Sequence, residues 1–177
     1  MTFTEDDEAA LKKTVLEVIE FKLKDSYFEV DASLKEKFSK NGACFVTLYK
    51  NAALRGCIGT LEAHEPLIDN IIHNAEAAAF KDPRFSSMKE SELNEVSVEL
   101  SILTAPVAVA SYTEITLGVD GIIFRHNGKR SVFLPEVPTQ QNWDLETTLK
   151  QLARKAGLSE STWMDADYDV FQAIKIK

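Results

Sequence analysis

Gly56 and Gly59 bracket a cysteine in the run Leu54-Arg55-Gly56-Cys57-Ile58-Gly59-Thr60, which follows the strand-like segment Phe45-Val46-Thr47-Leu48-Tyr49. Glycine weakens an extended segment, because it adds backbone entropy and contributes no side chain to pack. Two of the chain's 7 glycines in such a place predict either a bulge or a neighbour whose backbone comes close. Side chains of an extended segment alternate between faces. Arg55, Cys57 and Gly59 then share one face, and Leu54, Gly56 and Ile58 the other. A guanidinium beside a thiol favours the thiolate, so the pattern offers a reactive Cys57 on a face left open by glycine. It also fits a small residue in a crowded sheet, since free cysteine is among the most buried residue types.

The rest of the chain mixes two periodicities. Thr4 to Lys24 reads as an amphipathic helix, with Thr4 as cap, acids in the first turn, and Leu11, Val15, Val18 and Ile19 on one face. Asp31 to Ser39 reads as a short helix. Pro66 opens another helix to about Phe80, with Leu67, Ile68, Ile71, Ile72, Ala75 and Ala79 on its apolar side, Asn74 at the edge and His73 in solvent. Asp82-Pro83-Arg84-Phe85 breaks that helix. A last helix spans Asp144 to Ala156 and stops at Gly157.

Strands are predicted at Cys44–Tyr49, Leu54–Leu61, Glu95–Leu103, Gly121–Phe124, Ser131–Leu134 and Asp169–Ile176. Asn127-Gly128 marks a tight hairpin, and Pro135 to Pro138 reads as a rigid loop. Strands and helices intermingle without strict βαβ alternation. The fold class is therefore α+β, a mostly antiparallel sheet flanked by helices, in a single domain over residues 1–177.

The formal net charge of −8 weighs against a general nucleic-acid binder, which needs a basic stripe. Arg125, Lys129 and Arg130 flank one turn and read as a solvated hairpin end. Two cysteines, three histidines and no CxxC leave no zinc-type cluster and no disulfide framework. No apolar run has the length of a membrane span, and the acidic start resembles neither a secretion signal nor a transit peptide. A cytoplasmic location is expected, with no metal and no cofactor.

Several segments together resemble the AMMECR domain family: Leu54–Thr60 (LRGCIGT), Asn74–Phe85 (NAEAAAFKDPRF), Val98–Leu103 (VELSIL), Gly118–Phe124 (GVDGIIF), Leu134–Leu145 (LPEVPTQQNWDL) and Lys155–Leu158 (KAGL). Their order and spacing fit the family and cover nearly the whole chain beyond the first helix. The resemblance implies an α+β fold with a larger lobe and a smaller appended one. It also implies a likeness to component A of the AmmeMemoRadiSam system, whose companions are a Memo-like protein and a radical-SAM protein. No established biochemical activity comes with the family. The chain departs from the common pattern at Asn142, where glycine is frequent before the tryptophan.

Three functions follow for testing. The first is a thiol-dependent enzyme for a small anionic substrate. Cys57 is its nucleophile, Glu99 its acid or base, and Arg55, Asn74 and Arg84 its anion pocket, with Gly56, Gly59 and Thr60 as further binding residues. No histidine stands in an obvious place to activate the thiol. The second is a non-catalytic binding partner of the Memo-like and radical-SAM proteins, with Trp143 and Pro135–Pro138 as the lip of a groove. The third, nucleotide or RNA handling, lacks both GxGxxG and GxxxxGK[ST].

Overall fold

The computed structural model describes residues 2–177. The chain divides into two compact units. One runs to Leu103 and takes back Ile174–Lys177; the other is Thr104–Ala173.

In the first unit, Thr4 caps helix α1 (Glu5–Leu23) through a reciprocal pair: the Asp7 N–H donates to Thr4 Oγ1 at 3.2 Å and the Thr4 N–H to Asp7 Oδ2 at 3.1 Å. Helix α2 (Ala32–Lys37) leads into strands β1 (Asn41–Lys50), β2 (Ala53–Gly59) and the short β3 (Glu65–Pro66). Helix α3 (Leu67–Phe80) and strand β4 (Val96–Leu103) follow. The turn between β1 and β2 is the pair Asn51–Ala52, both at positive φ (51° and 62°), which matches the twist of a two-residue hairpin. β1 lies between β2 and β4, antiparallel to both, and also pairs with β3. One face of this sheet packs on α3, whose Leu67, Ile68, Ile71 and Ala75 are fully buried together with Cys44, Val46, Leu48 and Leu100 of the strands.

The second unit carries its own sheet of β5 (Val107–Ala108), β6 (Gly121–His126), β7 (Lys129–Phe133) and β8 (Asp167–Phe171), in the order β5-β8-β6-β7 with every pairing antiparallel. Helices α4 (Glu136–Gln140) and α5 (Leu145–Lys155) complete it. Ile122, Phe124, Leu149, Leu152 and Tyr168 form its core.

The α+β class with antiparallel sheets and flanking helices holds, and three expectations change. The strands expected in one sheet belong to two. The closing strand Asp169–Ile176 is interrupted at Gln172, so that β8 serves the second sheet and β9 (Ala173–Ile176) lies beside β4 in the first. Alternation continues across such a break and gives no sign of it. Pro135–Pro138 is the start of α4 rather than a rigid loop. Pro138 falls in its first turn, where a missing N–H costs no helical hydrogen bond.

Candidate functional site around Cys57

Cys57 sits on β2, opposite Thr47 of β1, which is in turn opposite Glu99 of β4. Directly opposed residues share a face, so the three project from the side of the sheet away from α3. The Cys57 N–H donates outward to Asp82 Oδ2 at 2.9 Å, and its carbonyl accepts from Arg84 Nη2 at 3.1 Å. The Thr47–Cys57 pair is therefore a non-hydrogen-bonded one, in which side chains approach most closely. Thr47 Oγ1 donates to Cys57 Sγ at 3.3 Å.

Asp82 and Arg84 cover the outer edge of β2 as a further strand would. Arg84 grips Asp82 in a fork, Nε to Oδ1 at 3.0 Å and Nη2 to Oδ2 at 2.7 Å. The hydrogen bond from Arg84 is the largest influence holding the Asp82 carboxyl far below the usual carboxylate range, and the Cys57 N–H adds to it. Asp82 in turn raises the pKa of Arg84, with smaller contributions from Cys57. The guanidinium beside the thiol is thus that of Arg84, whose side chain remains half exposed.

Arg55 is placed elsewhere. Leu48 pairs with Gly56 and Tyr49 with Leu54, so Arg55 is the extra residue of a β-bulge. The bulge breaks the alternation that joined Arg55 to Cys57. Its guanidinium forks onto Glu92, Nε to Oε1 at 2.9 Å and Nη2 to Oε2 at 3.0 Å, and also donates to the Ser86 carbonyl at 3.0 Å. This contact, chief among several, pulls Glu92 down to about 2.

The glycines divide their roles. A Cβ on Gly56 would lie 2.1 Å from the Ala78 carbonyl oxygen, so Gly56 is where α3 approaches the strand backbone. A Cβ on Gly59 would meet the Phe45 ring at 2.3 Å. Phe45 stands opposite Gly59 and covers it, so that stretch of the Cys57 face is closed rather than open.

Asn74 and Thr60 belong to a polar knot behind β1. Asn70 Oδ1 accepts from the Cys44 N–H, Thr60 Oγ1 and Asn74 Nδ2, each at 3.0 Å. Asn74 also donates to the Cys44 carbonyl at 3.2 Å. Burial pushes the Cys44 thiol up to about 12. Cys57 is half-buried.

Glu99 is not an edge residue in water. Lys175 of β9 stands 3.5 Å from its carboxylate and donates to Ser101 Oγ at 2.8 Å. Trp143 belongs to the second unit, where its ring lies 5.8 Å from that of Phe133 and it is half-buried. The preceding Asn142 takes φ 55°, a left-handed conformation that asparagine tolerates and glycine adopts freely.

The structure thus brings Cys57, Glu99 and Arg84 to one sheet face with its edge. It leaves Arg55, Asn74 and Thr60 in structural contacts, and Trp143 in the other unit. Thr47, Asp82 and Lys175 were missed. Asp82 had a signal, since an Asp-Pro pair that ends a helix leaves its carboxylate free to bind backbone N–H groups. Lys175 had none, being distant in sequence. Among the described residues no group of three His, Cys, Asp or Glu could hold a metal, and no helix is long and apolar enough to cross a membrane.

A model of the AMMECR1 family matches residues 12–176. A protein of Methanothermobacter thermautotrophicus is 40% identical over 145 residues, covering 78% of this chain and 76% of its own length. One of Methanococcus aeolicus is 38% identical over 161 residues, covering 86% and 80%. The crystal structure of an uncharacterized protein of Pyrococcus horikoshii superposes with a TM-score of 0.77 at 31% identity, over 93% of this chain and 88% of that one.

Proposed function

The chain belongs to the AMMECR1 family, and on that footing we propose that the Cys57 face of its first unit acts on a small anionic substrate through the thiol. The observation that carries this reading is the convergence on half-buried Cys57 of the Thr47 hydroxyl, which donates to its sulfur, and the Arg84 guanidinium, which donates to its carbonyl. Arg84 keeps donors for an anion beyond those given to Asp82 and the Cys57 carbonyl. The sulfur forms a bond to an electrophilic carbon as the leaving group departs with its electron pair, and the thiol proton passes to solvent. Glu99 lies two strands away, about 10 Å between Cα atoms, so with Lys175 it meets the far end of the substrate rather than the sulfur.

The test uses two alkylating reagents, neutral iodoacetamide and anionic iodoacetate, with the modified peptides identified by mass spectrometry. Cys57 should react first in the native protein and show a preference for iodoacetate. Arg84→Gln should lose that preference, and Thr47→Val should slow both reagents. Equal rates for both cysteines, no reaction before unfolding, or unchanged selectivity in Arg84→Gln would refute the reading.

A second reading is supported by the partners of Cys57. Among the described residues these are Thr47, Asp82 and Arg84, and none is a base free to take the thiol proton. In this reading the same face is a docking surface for the Memo-like and radical-SAM companions that the family resemblance suggests. Co-purification of such partners with Cys57→Ala as well as with the native chain would favour docking over chemistry.

A further inference from the structure

The end of helix α1 leaves aromatic side chains in water where its closing turn would ordinarily cover one of them. Lys24 caps the helix, and Asp25 takes φ 49°, a left-handed conformation. The Ser26 N–H donates to the Phe21 carbonyl at 2.9 Å, and the Asp25 N–H to the Lys22 carbonyl at 3.2 Å. This pair of bonds is the Schellman closure, in which an apolar residue at the position of Ser26 commonly packs on the residue at the position of Phe21. Here that position is a serine, whose hydroxyl donates to the same Phe21 carbonyl at 3.1 Å. Phe21 is left 38% exposed, and Tyr27 beyond the turn is 84% exposed. Exposed large apolar side chains gathered in one place mark interaction sites, whereas single ones do not.

Phe21, Tyr27 and Phe28 line a cavity of about 220 Å³, together with Val18 of α1 and Ile72 of α3, and with Lys22, Ser26 and Glu76. Phe21 and Phe28 meet edge to face, 5.7 Å between ring centres, an arrangement that aromatic pairs favour. The volume suits one ring. An apolar cavity of about 150 Å³ holds benzene, and sites for larger ligands begin at about 300 Å³. The charges of the lining cancel, because Lys22 and Glu76 form an ion pair at 3.6 Å. No net charge remains there to hold an ion. Glu76 still keeps acceptor sites, since a carboxylate offers about four lone-pair positions and Lys22 approaches one oxygen. A hydroxyl on the ring can donate to it in a charge-assisted bond. We propose that the cavity at the end of α1 binds a small neutral hydroxyaromatic molecule, a phenol, with its ring against the aromatic side chains and its hydroxyl on Glu76. The cavity lies wholly within the first unit and uses none of the residues placed around Cys57.

The experiment is an NMR titration of the full-length, nitrogen-15-labelled chain with phenol, cyclohexanol, benzoate and N-acetyltyrosinamide. Saturable shifts are expected with phenol at the amides of Phe21, Ser26 and Tyr27. Cyclohexanol offers the same hydroxyl without an aromatic face and should bind about two- to tenfold more weakly. Benzoate should also bind more weakly, because its charge would leave water beside a lysine that is already paired. N-acetyltyrosinamide carries a backbone too large for the cavity and should bind no better than phenol. Tyr27→Ala and Glu76→Gln should each weaken phenol binding about two- to tenfold. Tyr27 is so exposed that its replacement spares the fold, and Met164→Ala, at an exposed apolar residue of the second unit, should change nothing. The proposal is overturned by the absence of saturable shifts at these amides up to about 10 mM phenol, or by cyclohexanol or benzoate binding as tightly as phenol. Unchanged affinity in both variants would overturn it as well, as would tighter binding of N-acetyltyrosinamide, which would assign the cavity to a side chain of a protein partner.

Discussion

Gly56→Ala tests whether the glycine-bracketed cysteine motif is built around a backbone-to-backbone approach. The added Cβ would lie 2.1 Å from the Ala78 carbonyl oxygen and 3.0 Å from its carbon. Neither atom can rotate aside, because both belong to the main chain of α3. Restoring an ordinary contact requires α3 to retreat by about 1 Å. A gap of that size forfeits between a quarter and a half of the dispersion well of the atoms that face it. The helix presents the fully buried Leu67, Ile68 and Ile71 to the core, and complete burial of each is worth about 1.5–3 kcal/mol. Losing roughly a third of that for three side chains destabilises the first unit by about 1.5–3 kcal/mol. In urea unfolding followed by circular dichroism, an m-value of about 2 kcal/mol/M converts this to a midpoint lower by about 0.7–1.5 M. Gly128→Ala is the control. Its φ is 73° and nothing stands within 4 Å of a Cβ there, so only the left-handed backbone cost of about 1 kcal/mol applies. A Gly56→Ala midpoint within about 0.3 M of the native one, or a loss no larger than that of Gly128→Ala, would refute the close-approach reasoning.

Further outcomes follow from the same contacts. Glu92 is held at about 2 against an ordinary 4.5, so its contribution is fully present above pH 4.5 and is lost as pH falls toward 2. Urea midpoints measured from pH 6 to pH 2.5 should therefore fall, by the equivalent of about 1–3 kcal/mol after screening, and Glu92→Gln should flatten that dependence. Asn70→Ala strands the Cys44 N–H and an Asn74 donor in the core and should cost about 2–4 kcal/mol in thermal or urea unfolding. Ser131→Ala removes the buried 2.7 Å bond to the Leu152 carbonyl and should destabilise the second unit by about 1–2 kcal/mol, read from hydrogen exchange of α5.

Much of the first unit was legible because its signals are local. The Thr4 cap, the apolar stripe of α3 and the alternation from Val96 to Leu103 each depend on residues within one element, and each element stands within a residue or two of its expected place. The split into two sheets depends instead on which strands meet. Alternation from Asp169 to Ile176 is the same whether the strand serves one sheet or two, so the change of partner at Gln172 left no trace. The site was legible in the same measure. Cys57 and Glu99 were identified by type and do share a face, since period two survives on both strands. Arg55 was misplaced because one extra residue in β2 reverses the inference from alternation, and a bulge is set by pairing that no single strand records.

The polar residues of the motif-bearing segments make one structural argument together. An outer strand exposes unpaired N–H and C=O groups that invite pairing with another chain. At Cys57 both groups are taken, the N–H by Asp82 and the carbonyl by Arg84, and the fork between those two side chains holds them in place. The Asp82-Pro83-Arg84 turn thus closes the edge of β2 at one residue, and Gly56 brings α3, which delivers that turn, against the strand. Arg55, the bulge residue two positions earlier, ties β2 to the segment after α3 through its guanidinium bonds to Glu92 and the Ser86 carbonyl. Gly56 is accounted for by helix approach, and Asp82 and Arg84 each have a role in edge closure. The Cys57 thiol has no such role: none of these contacts requires a sulfur, and a serine or alanine would leave the backbone bonds unchanged. Edge closure explains the identities of Asp82 and Arg84, and the residue it leaves unexplained is the one on which the proposed function rests.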